Sequence, residues 1–245
     1  LKSFKIKKQK KNSIKKNINI NKIIKFIAKS SRPLIVIGNG VRQSNMETSI
    51  KKIINKMKVP VIFSRFAQDL FSHNEKYIFG HGGIKGSRHC SKIMKSCDLV
   101  LSFGCRFAPQ FVGHDFSAFK NAKVVAVDIE KDEFKKKGQK IDLAINEDLI
   151  FFLPKFLNQI NKVKLPNYNN WVSYCYRLKK ENPTIINKIR KNPIDLYYFM
   201  QKLGEVANKK DILITDAGSN YYIGGQVWKF TKQQKEIASV SNAAM

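Results

Sequence analysis

The chain has 245 residues, 43% hydrophobic and 11% aromatic, enough apolar material for a sizeable core and too much for a disordered protein. Lys and Arg number 46 against 18 Asp and Glu, a formal charge of +28. No apolar run approaches the roughly 20 residues of a membrane span, and four cysteines without repeating spacing exclude a small disulfide-stapled secreted module and fit a reducing, cytoplasmic setting.

The charge reads as compositional bias rather than as a nucleic-acid footprint. Only seven of the 46 basic residues are Arg, and residues 1–46 hold 13 basic groups with no acid before Glu47. A nucleic-acid reader is expected to favour Arg and to interleave aromatics with the charge, yet Lys2–Lys16 contains one aromatic, Phe4. Residues 1–19 read as a basic linker, since they lack the apolar stretch of a secretory signal. The chain begins at Leu1 and stops at Ala243-Ala244-Met245, straight after a strand-like run, so both ends are expected to be cut.

From Ile20 to Ala28 the periodicity predicts a short amphipathic helix ahead of Pro33. Leu34–Ile37 is apolar throughout, as in strands buried on both faces of a parallel sheet, and Gly38-Asn39-Gly40 ends it. Helical spacing returns over Met46–Met57, followed by a strand at Pro60–Phe63. Ser87–Ser96 reads as a helix, Asp98–Phe103 as a strand ended by Gly104, Lys123–Val127 as a strand closed by Asp128, and Asp148–Ile160 as a helix. This alternation predicts an α/β central domain over residues 20–165, a doubly wound parallel sheet that is Rossmann-like (DHS-like). Residues 166–193, bracketed by Pro166, Pro183 and Pro193, read as an interdomain linker carrying one amphipathic helix at Trp171–Lys180. Residues 194–245 then show a helix at Asp195–Ala207, a strand at Ile212–Ile214, a turn at Asp216-Ala217-Gly218 and a helix at Asn220–Lys229. That is the opening of a second α/β domain, which about 50 residues cannot complete.

Several segments combine residues suited to ligand chemistry. Gly38-Asn39-Gly40 sits between strand and helix, where backbone N–H groups can hold a dinucleotide phosphate. The full G-x-G-x-x-G pattern fails at Gln43, and a simple glycine turn is the plainer reading. Gly80–Ser87 packs four glycines into seven residues, including Gly83 and Gly86, and lets backbone pass close to a flat or phosphorylated ligand; Ser87 is placed to cap the next helix. Arg106, just after Gly104, lies at the carboxyl edge where open α/β sheets bind ligands. It either pairs with a phosphate or with Asp128 on the same edge. Cys105 is read as a packed thiol, and neither the four histidines nor the four cysteines have metal-ligand spacing. Gly218-Ser219-Asn220 opens a helix and suits either a diphosphate or an ordinary N-cap.

In order, these pieces resemble the thiamine diphosphate-dependent acetolactate synthase-like family. The match runs through R-P-x-x-V-x-G-x-G at Arg32–Gly40, the glycine loop at 80–87, C-D-L-V-L-x-F-G-x-R-F at 97–107 and V-x-V-D-I at 125–129. It continues with D-A-G-S-N-Y-Y-I-G-G-Q at 216–226 and N-A-A-M at 242–245. The resemblance implies a whole central domain followed by the N-terminal part of the thiamine diphosphate-binding domain, at residues 194–245. It implies an enzyme that uses thiamine diphosphate and Mg²⁺ to decarboxylate a 2-keto acid and ligate the product to an acceptor, and that assembles as a homodimer or homotetramer. Carried over residue by residue, Gly218, Ser219 and Asn220 contact the diphosphate, Ala243 accepts from the aminopyrimidine, and Met245 wedges the cofactor into its bent shape. Gly38, Asn39, Gly40, Gly83, Gly86, Gly104, Arg106, Asp128 and Ile129 match positions that contact FAD in acetolactate synthases. The activating glutamate and the metal ligands have no counterpart here, so this chain by itself is expected to be inactive. Ala108-Pro109-Gln110 and Glu130-Lys131 depart from the family's flavin motifs, which leaves two rivals: a related 2-keto acid decarboxylase, or a non-catalytic module binding FAD, NAD or acyl-CoA. A basic nucleic-acid-binding fragment comes third.

Overall fold

The computed structural model describes residues 20–113, 115–185, 193–231 and 233–239. Residues 1–19, with the basic linker, and 240–245, with Ala243 and Met245, lie outside the described residues. Helix α1 (Ile20–Lys29) buries Ile20, Ile23 and Ile27 on one face and leads into β1 (Pro33–Ile37), which is buried at every position. A short helix α2 (Gly40–Gln43) and helix α3 (Glu47–Met57) return the chain to β2 (Val61–Phe63) and then β3 (Ile78–His81). Helix α4 (Arg88–Ser96) precedes β4 (Leu99–Phe103), the short α5 (Pro109–Val112) precedes β5 (Lys123–Asp128), and β6 (Leu143–Asn146) precedes α6 (Leu149–Asn161).

The strands form one parallel sheet in the order β3-β2-β1-β4-β5-β6. The first connection runs outward from β1 through β2 to β3, and the chain then crosses back to β4 beside β1. The strand order therefore reverses between β1 and β4, the position at which open α/β sheets bind ligands beyond their carboxyl ends. Six strands replace the four visible in the sequence. The two additions, β3 and β6, are the short edge strands, and both carry polar residues or glycine that break the apolar run: Gly80 and His81 in one, Asn146 in the other.

Helices α1 and α3 each pack against α6, and α4 packs against α7 (Asn169–Glu181), giving the two groups that cover a sheet buried on both faces. Helix α6 starts where Asp148 accepts a hydrogen bond from the Ile150 N–H at 3.0 Å, an Asx cap that satisfies an otherwise orphaned donor. Helix α7 is the one expected within residues 166–193. It is built into the central core: Trp171, Cys175 and Leu178 join the cluster that includes β1 and β4. Trp171 Nε1 donates to the Pro33 carbonyl at 2.8 Å, and the Tyr168 hydroxyl to the Ile27 carbonyl at 2.8 Å.

A second unit follows: α8 (Leu196–Val206), β7 (Ile212–Thr215), α9 (Ser219–Val227) and β8 (Lys235–Ala238). Strands β7 and β8 pair in parallel, and Met200, Leu213, Val227, Trp228 and Phe230 make a small separate cluster. Asp195 caps α8 by accepting from the Tyr198 N–H at 3.0 Å. Among the described residues no helix is long and apolar enough to cross a membrane.

Candidate cofactor-binding site

The residues singled out from the sequence fall into two places. Gly38, Asn39, Gly40, Gly104, Arg106, Asp128 and Ile129 all follow the carboxyl ends of β1, β4 and β5, around the point where strand order reverses. Gly83 and Gly86 lie beyond the end of β3. Gly218, Ser219 and Asn220 lie in the second unit, at the end of β7.

At the first place the glycines serve the chain's own crossing. The loops after β1 and β4 touch backbone to backbone: a Cβ on Gly38 would stand 1.9 Å from the Gly104 oxygen, and one on Gly40 would stand 2.8 Å from the Gly104 Cα. The Gly38 N–H donates to the Phe103 carbonyl at 3.0 Å and the Gly40 N–H to the Gly104 carbonyl at 3.1 Å. Gly104 itself has φ +58°. The same holds for the glycine loop, where Gly83 and Gly86 abut the Gln110 carbonyl and the His81 carbonyl at 2.6 Å each, counted from a would-be Cβ. These glycines are explained by close packing of the chain's own loops, which leaves side chains rather than a glycine cradle to meet any ligand at this edge.

The polar groups around this crossing remain open. Arg106 is 78% exposed in its side chain and faces Glu133 at a long 3.7 Å, so the partnership with Asp128 considered from the sequence is not formed. Its carbonyl accepts from Lys136 Nζ at 2.6 Å. Burial pushes the Asp128 carboxyl above the usual range while its Oδ1 accepts from the Glu130 N–H at 3.0 Å. Ile129, one residue on, is 62% exposed. A mostly buried carboxylate at a strand end, with an exposed apolar residue and an exposed arginine nearby, offers polar, apolar and cationic contacts to the ribose, ring and phosphate of a nucleotide in turn. Cys105 is a packed thiol, its pKa pushed up to about 12 by burial. Ser87 starts α4 without the side-chain capping bond expected of it.

At the second place, Gly218 occupies the cap position of α9 with φ +105°, and the space beside it is open, with Asn220 Oδ1 at 4.0 Å as the nearest contact of a would-be Cβ. No side chain caps this helix start; Asn220 Oδ1 accepts only from the next residue's N–H, at 2.8 Å. Uncapped N–H groups at a helix N-terminus attract phosphate, so the turn fits the diphosphate end of thiamine diphosphate. Asp216 stands at the same turn, held below the usual carboxylate range by the Ser239 hydroxyl and the Ala217 N–H. Its negative charge opposes a diphosphate at this turn, the more so where solvent is excluded. Among the described residues no group of three or more His, Cys, Asp or Glu is placed to hold a metal ion.

Two open clefts, of about 530 and 610 Å³, lie at the opposite, amino-terminal edge of the sheet, lined by Asp98, Lys123 and Asp142 in one and by Arg32 and Trp171 in the other. Neither includes a residue expected from the sequence to bind a cofactor.

What the sequence missed is a buried polar cluster joining the two units. Arg65, beyond β2, forms a two-pronged ion pair with Glu236 of β8, with Nη2–Oε1 at 2.6 Å, and Nη2 also donates to the Tyr221 carbonyl at 2.8 Å. Its guanidinium stacks 3.9 Å from the centre of the Tyr221 ring. Nothing local in the sequence marks Arg65, whose partners lie 156 and 171 positions away.

Residues 20–156 match the family model described as the central domain of thiamine pyrophosphate enzymes. Among curated relatives, the chain is 26% identical over 223 residues to the probable acetolactate synthase large subunit of Methanococcus aeolicus, covering 85% of this chain and 36% of that protein. The corresponding protein of Methanocaldococcus jannaschii is 27% identical over 217 residues, 86% of this chain and 36% of the relative. The acetolactate synthase large subunit of Lactococcus lactis is 23% identical over 220 residues, 90% and 38% respectively. The chain thus spans little more than a third of the length of the curated relatives it matches.

Proposed function

The chain belongs to the thiamine pyrophosphate enzymes through their central domain, and from that membership we propose that it is part of an acetolactate synthase-like enzyme acting on a 2-keto acid. The observation that carries this reading is the docked unit after the central sheet: strand β7, the Asp216-Ala217-Gly218 turn, and an uncapped α9 with Gly218 at φ +105°. Thiamine diphosphate, when bound, supplies the chemistry of decarboxylating the keto acid and passing the remaining carbons to an acceptor. Gly218, Ser219 and Asn220 hold its diphosphate, and Mg²⁺, held by ligands outside the described residues, offsets the charge of Asp216. Ala243 and Met245 are assigned to the pyrimidine and to the bend of the cofactor. The enzyme is proposed to work as a homodimer or homotetramer in the cytoplasm.

The central unit is proposed to carry a nucleotide, FAD in the first instance, at the β1/β4 reversal. Asn39, Arg106, Asp128 and Ile129 make the contacts, while Gly38, Gly40, Gly83, Gly86 and Gly104 bring their loops close enough to shape the edge. That same edge favours one second reading, a nucleotide-binding module without catalysis, in which NAD or an acyl-CoA replaces flavin. Calorimetric titration with thiamine diphosphate and Mg²⁺, run beside a pyruvate-consumption assay, separates the two. These residues within a chain of the relatives' full length are expected to bind the cofactor and consume pyruvate, and the 245 residues alone to do neither. Adenine nucleotide binding without cofactor binding in the longer chain would establish the second reading instead.

A further inference from the structure

A continuous line of polar contacts runs from the loop after β1 to the first turn of α9, partly exposed at its Asn39–Arg42 end and buried beyond it. It starts at Asn39, whose Oδ1 accepts from Arg42 Nη1 at 3.2 Å. Arg42 Nη2 pairs with the Asp69 carboxylate, and Asp69 Oδ2 accepts from the Glu236 backbone N–H at 3.2 Å. The Glu236 side chain grips the Arg65 guanidinium, with Gln68 Nε2 donating to it at 2.6 Å, and Arg65 holds the Tyr221 carbonyl. Tyr221 lies two residues beyond Ser219. Asp69 and Gln68 are almost fully buried, and the Glu236 side chain is 6% exposed.

The two arginines and two carboxylates balance in charge, so the line is neutral as a unit while each member depends on its neighbours. Desolvated, forked contacts of this kind are directional and strong for their length. As a source of stability such a buried set is poor, since apolar residues of equal volume do as well or better. Its geometry is instead constrained: a Cβ on Gly225 would meet Arg65 Nε at 2.8 Å, so a side chain there would push the guanidinium out of its present place.

We propose that this line couples the two cofactor turns, so that nucleotide bound at Asn39 orders the start of α9 and strengthens diphosphate binding at Gly218–Asn220, and the reverse. The inference rests on reading those two turns as cofactor sites. A ligand that pins Asn39 fixes Arg42, and with it the orientation of Asp69, Glu236 and Arg65. The α9 turn then has less freedom left to lose when diphosphate arrives, and the effect is reciprocal by linkage.

The test is hydrogen exchange on the 245-residue chain with FAD as probe, read at the amides of α9. Flavin is expected to slow exchange there by about fivefold or more, the lower end of site-to-site coupling. Arg65→Met is expected to abolish that protection while flavin affinity, followed by fluorescence titration, stays unchanged; Asp69→Asn serves the same purpose with less loss of bulk. Flavin binding to the wild-type chain with α9 exchange unaltered would overturn the coupling alone. Protection that persists in both variants would overturn the route. No flavin binding at all would overturn the flavin reading and the coupling with it.

Discussion

Replacing Gly38 by alanine tests the crossing of the β1 and β4 loops, on which the geometry of the carboxyl edge depends. The added methyl would lie 1.9 Å from the Gly104 oxygen and 2.4 Å from the Cys105 Cα, both backbone atoms that cannot rotate away. The loops must separate, at an overpacking cost of roughly 1–3 kcal/mol. Separation also strains the Gly38 N–H to Phe103 and Gly40 N–H to Gly104 hydrogen bonds, each contributing about 1 kcal/mol net. Together the loss is about 3–5 kcal/mol, a large share of the roughly 5–15 kcal/mol of an ordinary domain. In a domain of this size that lowers the melting temperature by about 10 °C or more. Urea and thermal unfolding followed by far-UV circular dichroism measure it. Gly204→Ala is the control: in the last turn of α8, its Cβ would reach Trp228 Cδ2 at 3.3 Å, a mild crowding set against a helix-propensity gain of up to about 1 kcal/mol. It is expected to be near neutral. If Gly38→Ala unfolds together with the wild type and Gly204→Ala, the loops do not cross in contact and the reasoning is wrong.

Three further outcomes follow from particular side chains. His81 is 2% exposed and burial holds its imidazole down at about 3. It stays neutral while the unfolded chain takes up a proton, so its contribution to stability is complete above the unfolded value near 6.5 and is lost as pH falls toward 3, about 2 kcal/mol of it by about pH 5. Urea midpoints in His81→Asn should vary less across that window than in the wild type, and an equal slope would contradict the burial argument. Arg106→Ala should weaken FAD binding by only about fivefold, since an exposed charge contributes up to about 1 kcal/mol; an unchanged titration would remove Arg106 from the site. Trp171→Ala should cost about 3–5 kcal/mol in urea unfolding, because the indole is buried in the central cluster and bonded to Pro33. A near-neutral result would mean that α7 is a carried linker helix and not part of the core.

Local chemistry was legible wherever it depended on neighbours in the chain. The strands Pro33–Ile37 and Leu99–Phe103 are buried at every position, so they show as unbroken apolar runs, and the helices between them show their inward faces at helical spacing. The turn at Asp216–Gly218 and the helix starts at Asp148 and Asp195 were visible for the same reason, since they rest on residues next to one another in the chain. Edge strands were not: Ile78–His81 contains Gly80 and His81, and Leu143–Asn146 is buried at one position in four. Ser87 had the right residue type and place for a cap, yet its side chain makes no capping bond.

The sequence by itself determined the alternation of strand and helix, the parallel class of the sheet and the family order of the motifs, because periodicity and turn chemistry are short-range properties. Only the tertiary structure decided what the glycines are for, which carboxylate meets Arg106, and that Trp171 seals the central core. It also brought Arg65 to Glu236 and Tyr221. Those outcomes depend on which backbones approach within van der Waals contact and which charges are desolvated together, and residues separated by a hundred or more positions carry no local signal of either.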